Sequence, residues 1–459
     1  MNRKGAFVFI GLVFIILLIP FIGMTVWPTT ETTENTPLAE IPSRYKEDQP
    51  NFYYLSDWGD YFEDRFAFRQ HLVTANAKLY GTLFRQSTTD QVVMGKEGWL
   101  YYGGTLEDYQ GKNLLTDRAW FCLVHNLKLM QEYVEGKGSR FLLTIAPNKN
   151  SLYGEYMPSR YLAGNTKNIE LLAEKLEEAG ITYVDLYSLF RQQENPLYFK
   201  KDSHWNNQGA VLAYRAIFET MDKTHESYLN VPYSQQAVHI GDLEEMLYPL
   251  ATKPEMDFIY DKSWGFVCET DDYMEEWIET KHPKKKETLF MYRDSFGESL
   301  LPFMAEEFGQ AYFSRLVPYH LTQIEQYRPD YVVIERVERR LSSFAEEAPV
   351  MPAPERENVS ALASENQMEL KAEIQGSYFS VSGTIPSEFV QEDSEVYITL
   401  KNEDGESKTY QPFYLSGEEE TVQLYLRKET IPKGTISIQM IAEVQNQYVI
   451  TNSATFTNF

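Results

Sequence analysis

Three short apolar runs, each closed by a cluster of polar residues, constrain this chain more than any other feature. They are Arg140-Phe-Leu-Leu-Thr-Ile-Ala146, Leu289-Phe-Met-Tyr292 and Tyr331-Val-Val-Ile334. Short apolar runs bounded by turn residues read as buried strands. A further strand is expected over Ile181–Leu186. Helical patterns fall at Arg118–Glu135, Asn168–Ala179, Gly209–Phe218 and Leu300–Phe308. Strands alternating with helices predict an α/β fold with a mostly parallel sheet and flanking helices.

The polar clusters carry the chemistry. Pro147-Asn148-Lys149-Asn150 follows the first run, at a strand end where an α/β sheet meets its active-site rim. Lys149 reads there as a solvated turn charge. Arg293-Asp294-Ser295-Phe296-Gly297 follows the second run and opens a helix. A serine at such a turn lies beside unpaired N–H groups and the positive end of the helix dipole, where developing negative charge is stabilised. Its hydroxyl needs a base to act as a nucleophile. The plain alternative is that Ser295 or Asp294 only caps the helix.

A base is available about 90 residues upstream, in Leu197-Tyr-Phe-Lys-Lys-Asp202-Ser-His204-Trp205-Asn206-Asn207. If residues 197–204 are extended, side chains 202 and 204 share a face. A carboxylate beside an imidazole fixes its tautomer and stabilises its cation. Asn206 or Asn207 then caps the following helix. The rival readings are a loop histidine bonded to its neighbour and a metal site of Asp202, His204 and Asp294. No Cys/His cluster has zinc spacing. The mechanism suggested by Ser295, His204 and Asp202 needs no metal or organic cofactor.

The flanks define the organisation. Ala6 to Trp27 is 22 uncharged, mostly apolar positions behind Arg3 and Lys4. At about 1.5 Å per residue this run spans a bilayer core, and the basic flank keeps residues 1–5 cytoplasmic. A cleaved signal peptide is the alternative. Residues 28–50 read as a polar linker. Residues 51–86 read as amphipathic helices, with Trp58, Tyr61, Phe62, Phe66, Leu72 and Leu79 as core contacts. Strands are expected at Gln91–Met94 and Trp99–Tyr102. Residues 222–284 lack periodicity and are expected to form a wall or lid of the acceptor site, with His225, His239 and His282 as surface or structural histidines. Pro352-Ala-Pro354 marks a boundary, after which short alternating runs predict an antiparallel β-sandwich over 346–459, a spacer or a glycan binder. The formal charge, 42 − 67 = −25, argues against nucleic acid as a partner and disfavours a strongly anionic glycan. Cys122 and Cys268 are expected to be two buried thiols rather than a disulfide.

Asp202-Ser-His204-Trp205-Asn206, Arg293-Asp294-Ser295-Phe296, Gly95-Lys-Glu-Gly-Trp99-Leu-Tyr, Ala146-Pro-Asn148-Lys149 and Asp330-Tyr-Val-Val-Ile-Glu335-Arg-Val-Glu338-Arg resemble, in order, motifs of a known family. The resemblance is to the SGNH-hydrolase-like domain of alginate O-acetyltransferases of the AlgX and AlgJ kind, and to the related DHHW proteins. It covers residues 51–345. It implies Ser295 as nucleophile, His204 as base, Asp202 as its orienting carboxylate, and Asn148 as an oxyanion donor. It also implies a polysaccharide acceptor and an acetyl donor passed on by a multi-spanning membrane acyltransferase. The expected activity is O-acetyl transfer by a membrane-anchored, extracytoplasmic enzyme. The alternatives are a carbohydrate esterase with the same triad and a non-catalytic glycan-binding scaffold.

Overall fold

The computed structural model describes residues 3–29, 38–46, 49–417, 419–444 and 447–458. Parts of the expected tail (1–2) and of the expected linker (30–37 and 47–48) lie outside the described residues. Arg3–Gly23 is a helix, and its Gly5–Gly23 stretch is long and apolar enough to cross a membrane. None of that stretch is buried by the rest of the chain.

A seven-stranded sheet organises the residues between 140 and 337. Its strands in chain order are β1 (Arg140–Ala146), β2 (Tyr183–Val184), β3 (Val267–Cys268), β4 (Trp277–Lys281), β5 (Thr288–Tyr292), β6 (Gln310–Ser314) and β7 (Tyr331–Val337). Their order across the sheet is β2-β1-β7-β5-β6-β4-β3. The first five are parallel, and β4 and β3 close one edge antiparallel.

The apolar runs are strands covered on both sides. Phe141, Leu143, Ile145, Phe290, Tyr292, Val332 and Ile334 pack with the helices Asp117–Gly136 and Asn168–Glu178. Leu142, Ala146, Leu289, Met291, Tyr331 and Val333 pack with the helices Asn207–Thr220 and Gly297–Ala305. Side chains alternate between two cores because successive strand residues face opposite ways. With both faces covered, an unbroken apolar run is the pattern required. Three adjacent strands, β1, β7 and β5, therefore deliver their following loops to one rim.

Two sheets of six and four strands follow residue 355. They pair antiparallel except for Leu362–Glu369, which runs parallel to Gln447–Asn458. Val381, Leu424, Ile398 and Ile438 fill the space between them. That core is continuous with the one beneath β1, because helix Asp117–Gly136 docks on the sandwich. The His125 ring stacks on Tyr414 at 3.7 Å, Asn126 exchanges hydrogen bonds with the Tyr414 backbone, and Arg118 pairs with Glu420.

Two expectations are corrected, and a third segment gains a defined shape. Trp58, Leu72 and Leu79 are 38%, 51% and 56% exposed and so are not core residues. Cys122 and Cys268 are both free, but only Cys122 is buried. Residues 222–284 hold a hairpin, Tyr233–His239 with Glu255–Tyr260, and a short helix, Asp242–Leu247, between its strands.

Candidate active site

The loops after β5, β6 and β7, through Ser295, Arg315 and Arg339, meet the loop 199–204 at a cavity of about 740 Å³. Ser295 sits on the turn between β5 and helix Gly297–Ala305. Asp294 shapes this turn: one carboxylate oxygen accepts from the Phe296 N–H at 2.9 Å and the other from the Val337 N–H at 2.8 Å. That leaves the Ser295 hydroxyl free of capping. Its Oγ lies 2.8 Å from His204 Nε2.

Asp202 and His204 come together by a route different from the expected extended strand. Tyr198 and Trp205 form an isolated antiparallel bridge, and the residues between them make a bent loop. Asp202 Oδ1 accepts both the His204 backbone N–H and His204 Nδ1, each at 2.7 Å. A side-chain carboxylate bonded two residues ahead is an Asx turn, and here it also holds the imidazole. Nδ1–H then points at Asp202, and Nε2 presents its lone pair to Ser295. Asn206 caps the next helix, accepting from the Gln208 and Gly209 N–H groups. Trp205 is fixed against the serine turn: its Nε1 donates to Ser299 Oγ at 2.7 Å, and its ring meets Phe296 edge-on at 5.1 Å.

The second oxygen of Asp202 is also held. It accepts from His239 Nε2 at 2.8 Å and from the Asp242 N–H at 3.0 Å. His239 stacks on Phe199 at 3.8 Å and lines the cavity. The sequence led us to expect a surface or structural histidine; it is half-buried and bonded to Asp202. Its partner lies 37 residues away, so no local spacing announces it. Asp242 in turn accepts from the N–H and hydroxyl of Ser203.

These contacts set the charges. Burial opposes the Asp202 carboxylate, but the His204 and His239 imidazoles hold it well below the usual carboxylate range. Burial likewise opposes the His204 cation, but the Asp202 charge and hydrogen bond, with Asp242, push it up to about 8. His239 is raised too, its desolvation outweighed by the bond to Asp202. Burial and the Asp202 charge raise Asp242.

Lys149 is the opposite of a solvated turn charge. It is 4% exposed, and its ammonium donates to the carbonyls of Phe199, Lys200 and Asp202 at 3.0, 2.9 and 2.6 Å. The rings of Trp99 and Tyr101 lie 5.4 and 5.3 Å from it. Burial drags its pKa down to about 7, opposed by the Asp202, Asp242 and Glu255 charges. The three carbonyl acceptors match the three donors of an ammonium, so Lys149 pins the backbone that carries Asp202.

Asn148 is not placed as an oxyanion donor. It is 1% exposed, does not line the cavity, and gives its side-chain amide to Asp108 at 2.9 Å. Its backbone N–H donates to Glu338. Among the turn N–H groups, those of Phe296, Gly297 and Glu298 are bonded to Asp294 or Ser295. The Ser295 N–H has no partner among the described residues. Among the described residues, Asp294 also falls outside any group of side chains placed to hold a metal. The groups close enough for one are Asp202, His204 and Asp242; there Asp202 is bonded to His204 Nδ1, and the Asp242 carboxylate accepts from Ser203.

The loop 222–284 supplies much of the cavity wall through His239, Asp242, Glu245, Asp257, Tyr273 and Met274. Arg315 and Arg339 face the same space. Buried Arg293 holds this wall, donating to the carbonyls of Tyr273 and Glu275.

Comparison with known proteins agrees with the motifs. Residues 92–256 match the family model of the SGNH hydrolase-like domain of the acetyltransferase AlgX. The probable alginate O-acetylase AlgJ of Pseudomonas syringae pv. tomato is 28% identical over 170 residues, which span 34% of this chain and 40% of that protein. The chain thus spans less than half the length of that relative. Among solved structures, PatB1 of Bacillus cereus aligns with a TM-score of 0.46 and 15% identity over 56% of this chain and 97% of its own. A DHHW family protein from Eubacterium siraeum aligns with a TM-score of 0.42 and 16% identity over 56% and 93%.

Proposed function

We propose that this chain, which carries an AlgX/AlgJ-type SGNH hydrolase-like domain, is an O-acetyltransferase that modifies hydroxyls of a cell-surface polysaccharide through an acyl-serine. The observation that carries the reading is the line Ser295–His204–Asp202, joined at 2.8 and 2.7 Å, at the wall of an open cavity.

Ser295 Oγ attacks the acetyl carbonyl carbon as its proton passes to His204 Nε2. The Ser295 N–H, at the start of a helix, faces the charge that develops on the carbonyl oxygen. His204 returns the proton to the departing oxygen of the donor. A sugar hydroxyl then gives its proton to His204 as its oxygen bonds to the acetyl carbon; the bond from that carbon to Ser295 Oγ breaks, and His204 returns the proton to Ser295. Asp202 stays ionised throughout and stabilises the His204 cation.

The helix Arg3–Gly23 anchors the protein, with the catalytic part outside the cytoplasmic membrane. The acetyl donor is handed over by a multi-spanning membrane acyltransferase. The sandwich after residue 346 is the candidate for holding the polymer.

The test is incubation of the purified full chain with an activated acetyl ester, with and without glycan. Acetylated glycan, and its loss in Ser295→Ala, is the expected result. Acetate release that glycan leaves unchanged marks an esterase. A Ser295→Ala strain with unchanged polymer acetylation marks a scaffold. Activity lost on chelation and regained with a divalent metal marks a metal site.

A further inference from the structure

The helix Arg69–Phe84 has two apolar faces and covers only one of them. Thr74 and Ala77 are buried on its inner face. Thr74 Oγ1 accepts from the Leu250 N–H at 3.3 Å, and a Cβ at Gly81 would lie 3.1 Å from Met94 and Tyr248. On another face Leu72, Leu79 and Leu83 form a row, as residues at such spacings do on a helix. They are 51%, 56% and 63% exposed, with Phe68, Tyr80 and Phe84 beside them also exposed. Single exposed leucines are ordinary, but three on one helix face with exposed aromatics beside them, interrupted only by Asn76, mark a surface that meets something apolar.

The occupant is indicated by continuity with the apolar helix. The end of Arg3–Gly23 abuts this region directly. Phe21 packs on Phe62 at 5.6 Å and Trp27 on Phe68 at 6.4 Å. The Ala67 N–H donates to the Pro20 carbonyl at 3.1 Å, and the Thr29 N–H to the Arg65 carbonyl at 3.2 Å. A Cβ on Gly23 would come within 2.7 Å of Ala67 Cβ, so the approach is close. A helix joined so tightly to the end of a membrane span sits at the level of the lipid headgroups. Trp27 and Tyr80 are of the residue types that favour that level, and Lys78 and Arg85 add positive charge to the same segment.

We propose that helix Arg69–Phe84 lies on the outer surface of the bilayer, with the Leu72, Leu79 and Leu83 row seated among lipid acyl chains. The proposal rests on the anchor reading of Arg3–Gly23. It has a consequence for the site. The inner face of this helix packs on helix Asp242–Leu247, which brings Asp242, Glu245 and Met246 to the catalytic cavity. The cavity wall is thereby held near the membrane, where an acetyl donor delivered from a membrane protein arrives.

The test uses the full chain in phosphatidylcholine vesicles, in a Cys268→Ser background with Cys122 buried. Leu79→Cys, Leu83→Cys, Ile16→Cys and Asp404→Cys each receive a spin label. Collision with oxygen, which concentrates in lipid, is compared with collision with a water-soluble nickel complex. The expected result is oxygen preference at 16, 79 and 83 and nickel preference at 404. Nickel preference at 79 and 83, with oxygen preference at 16, overturns this proposal alone. Exclusion of both reagents at 79 and 83 also overturns it, because a protein then covers the row. Nickel preference at 16 overturns the anchor reading and this proposal with it.

Discussion

His239 offers the sharpest test of how the site is built. The Asp202 carboxylate receives four hydrogen bonds: two from His204, one from the Asp242 N–H and one from His239. His239→Ala removes one of them from a carboxylate that is only 3% exposed. A hydrogen bond to a charged group contributes about 1.5–3 kcal/mol. If all of it were felt in the transition state, the rate would fall by roughly ten- to a hundredfold, at about 1.4 kcal/mol per factor of ten. Part of the loss is absorbed by the three remaining donors, so the expected fall in kcat/KM for an activated acetyl ester is about tenfold. His239→Gln keeps an N–H donor and restores most of the rate.

The pH profile gives a second, independent readout. His204 must be neutral to accept the serine proton, so kcat/KM rises with pH through its pKa of about 8. His239 shares Asp202 with His204, donating to the second carboxylate oxygen at 2.8 Å. Its other charged neighbours are Asp257 and Glu255. Removing that donor leaves the Asp202 charge less stabilised and more fully available to His204, so the acid limb moves to higher pH. The sign is fixed by the removal of a hydrogen-bond donor that stabilises the Asp202 charge. An unmoved limb with unchanged kcat/KM in His239→Ala would refute the argument. Equal losses in the Ala and Gln variants, with equal drops in melting temperature, would reduce His239 to packing for Phe199.

Lys149→Met strands three inward carbonyls without their donor. At about 1–3 kcal/mol for each buried unsatisfied group, and allowing for relaxation, urea unfolding should show a loss of roughly 3–5 kcal/mol. A variant as stable as the parent would contradict the pinning role. Asn148→Ala should keep acylation within about tenfold, measured as the burst of leaving group. A loss of about a hundred- to a thousandfold, typical of a missing oxyanion donor, would reinstate that role. Cys268 should react with an aromatic disulfide reagent in the folded protein, whereas Cys122, buried and with its thiol pushed up to about 12, should react only after unfolding. Equal reaction of both thiols in the folded state would count against the helix packing on the sandwich.

What was legible in the sequence, and what was not, divides along a physical line. The runs 140–146, 289–292 and 331–334 were readable because an unbroken apolar strand has few other uses than the middle of a covered parallel sheet. The neighbourhood of Asp202 and His204 was readable for a reason that proved wrong. Strand alternation and an Asx turn both bring residues two apart together, so the pairing survived the error in backbone shape. The partners of His239 and Lys149 were not legible because they meet only across the fold. His239 meets its carboxylate from the far end of a hairpin strand, and Lys149 meets carbonyls about 50 residues away that a bent loop turns inward. Leu72 and Leu79 expose a different limit. Periodicity reports that a helix face is apolar, but a protein core and a lipid surface select the same side chains. Only the neighbours separate the two, and here the neighbour is the helix built from the most apolar stretch of the chain, which is why the row is assigned to lipid rather than to an unfinished core.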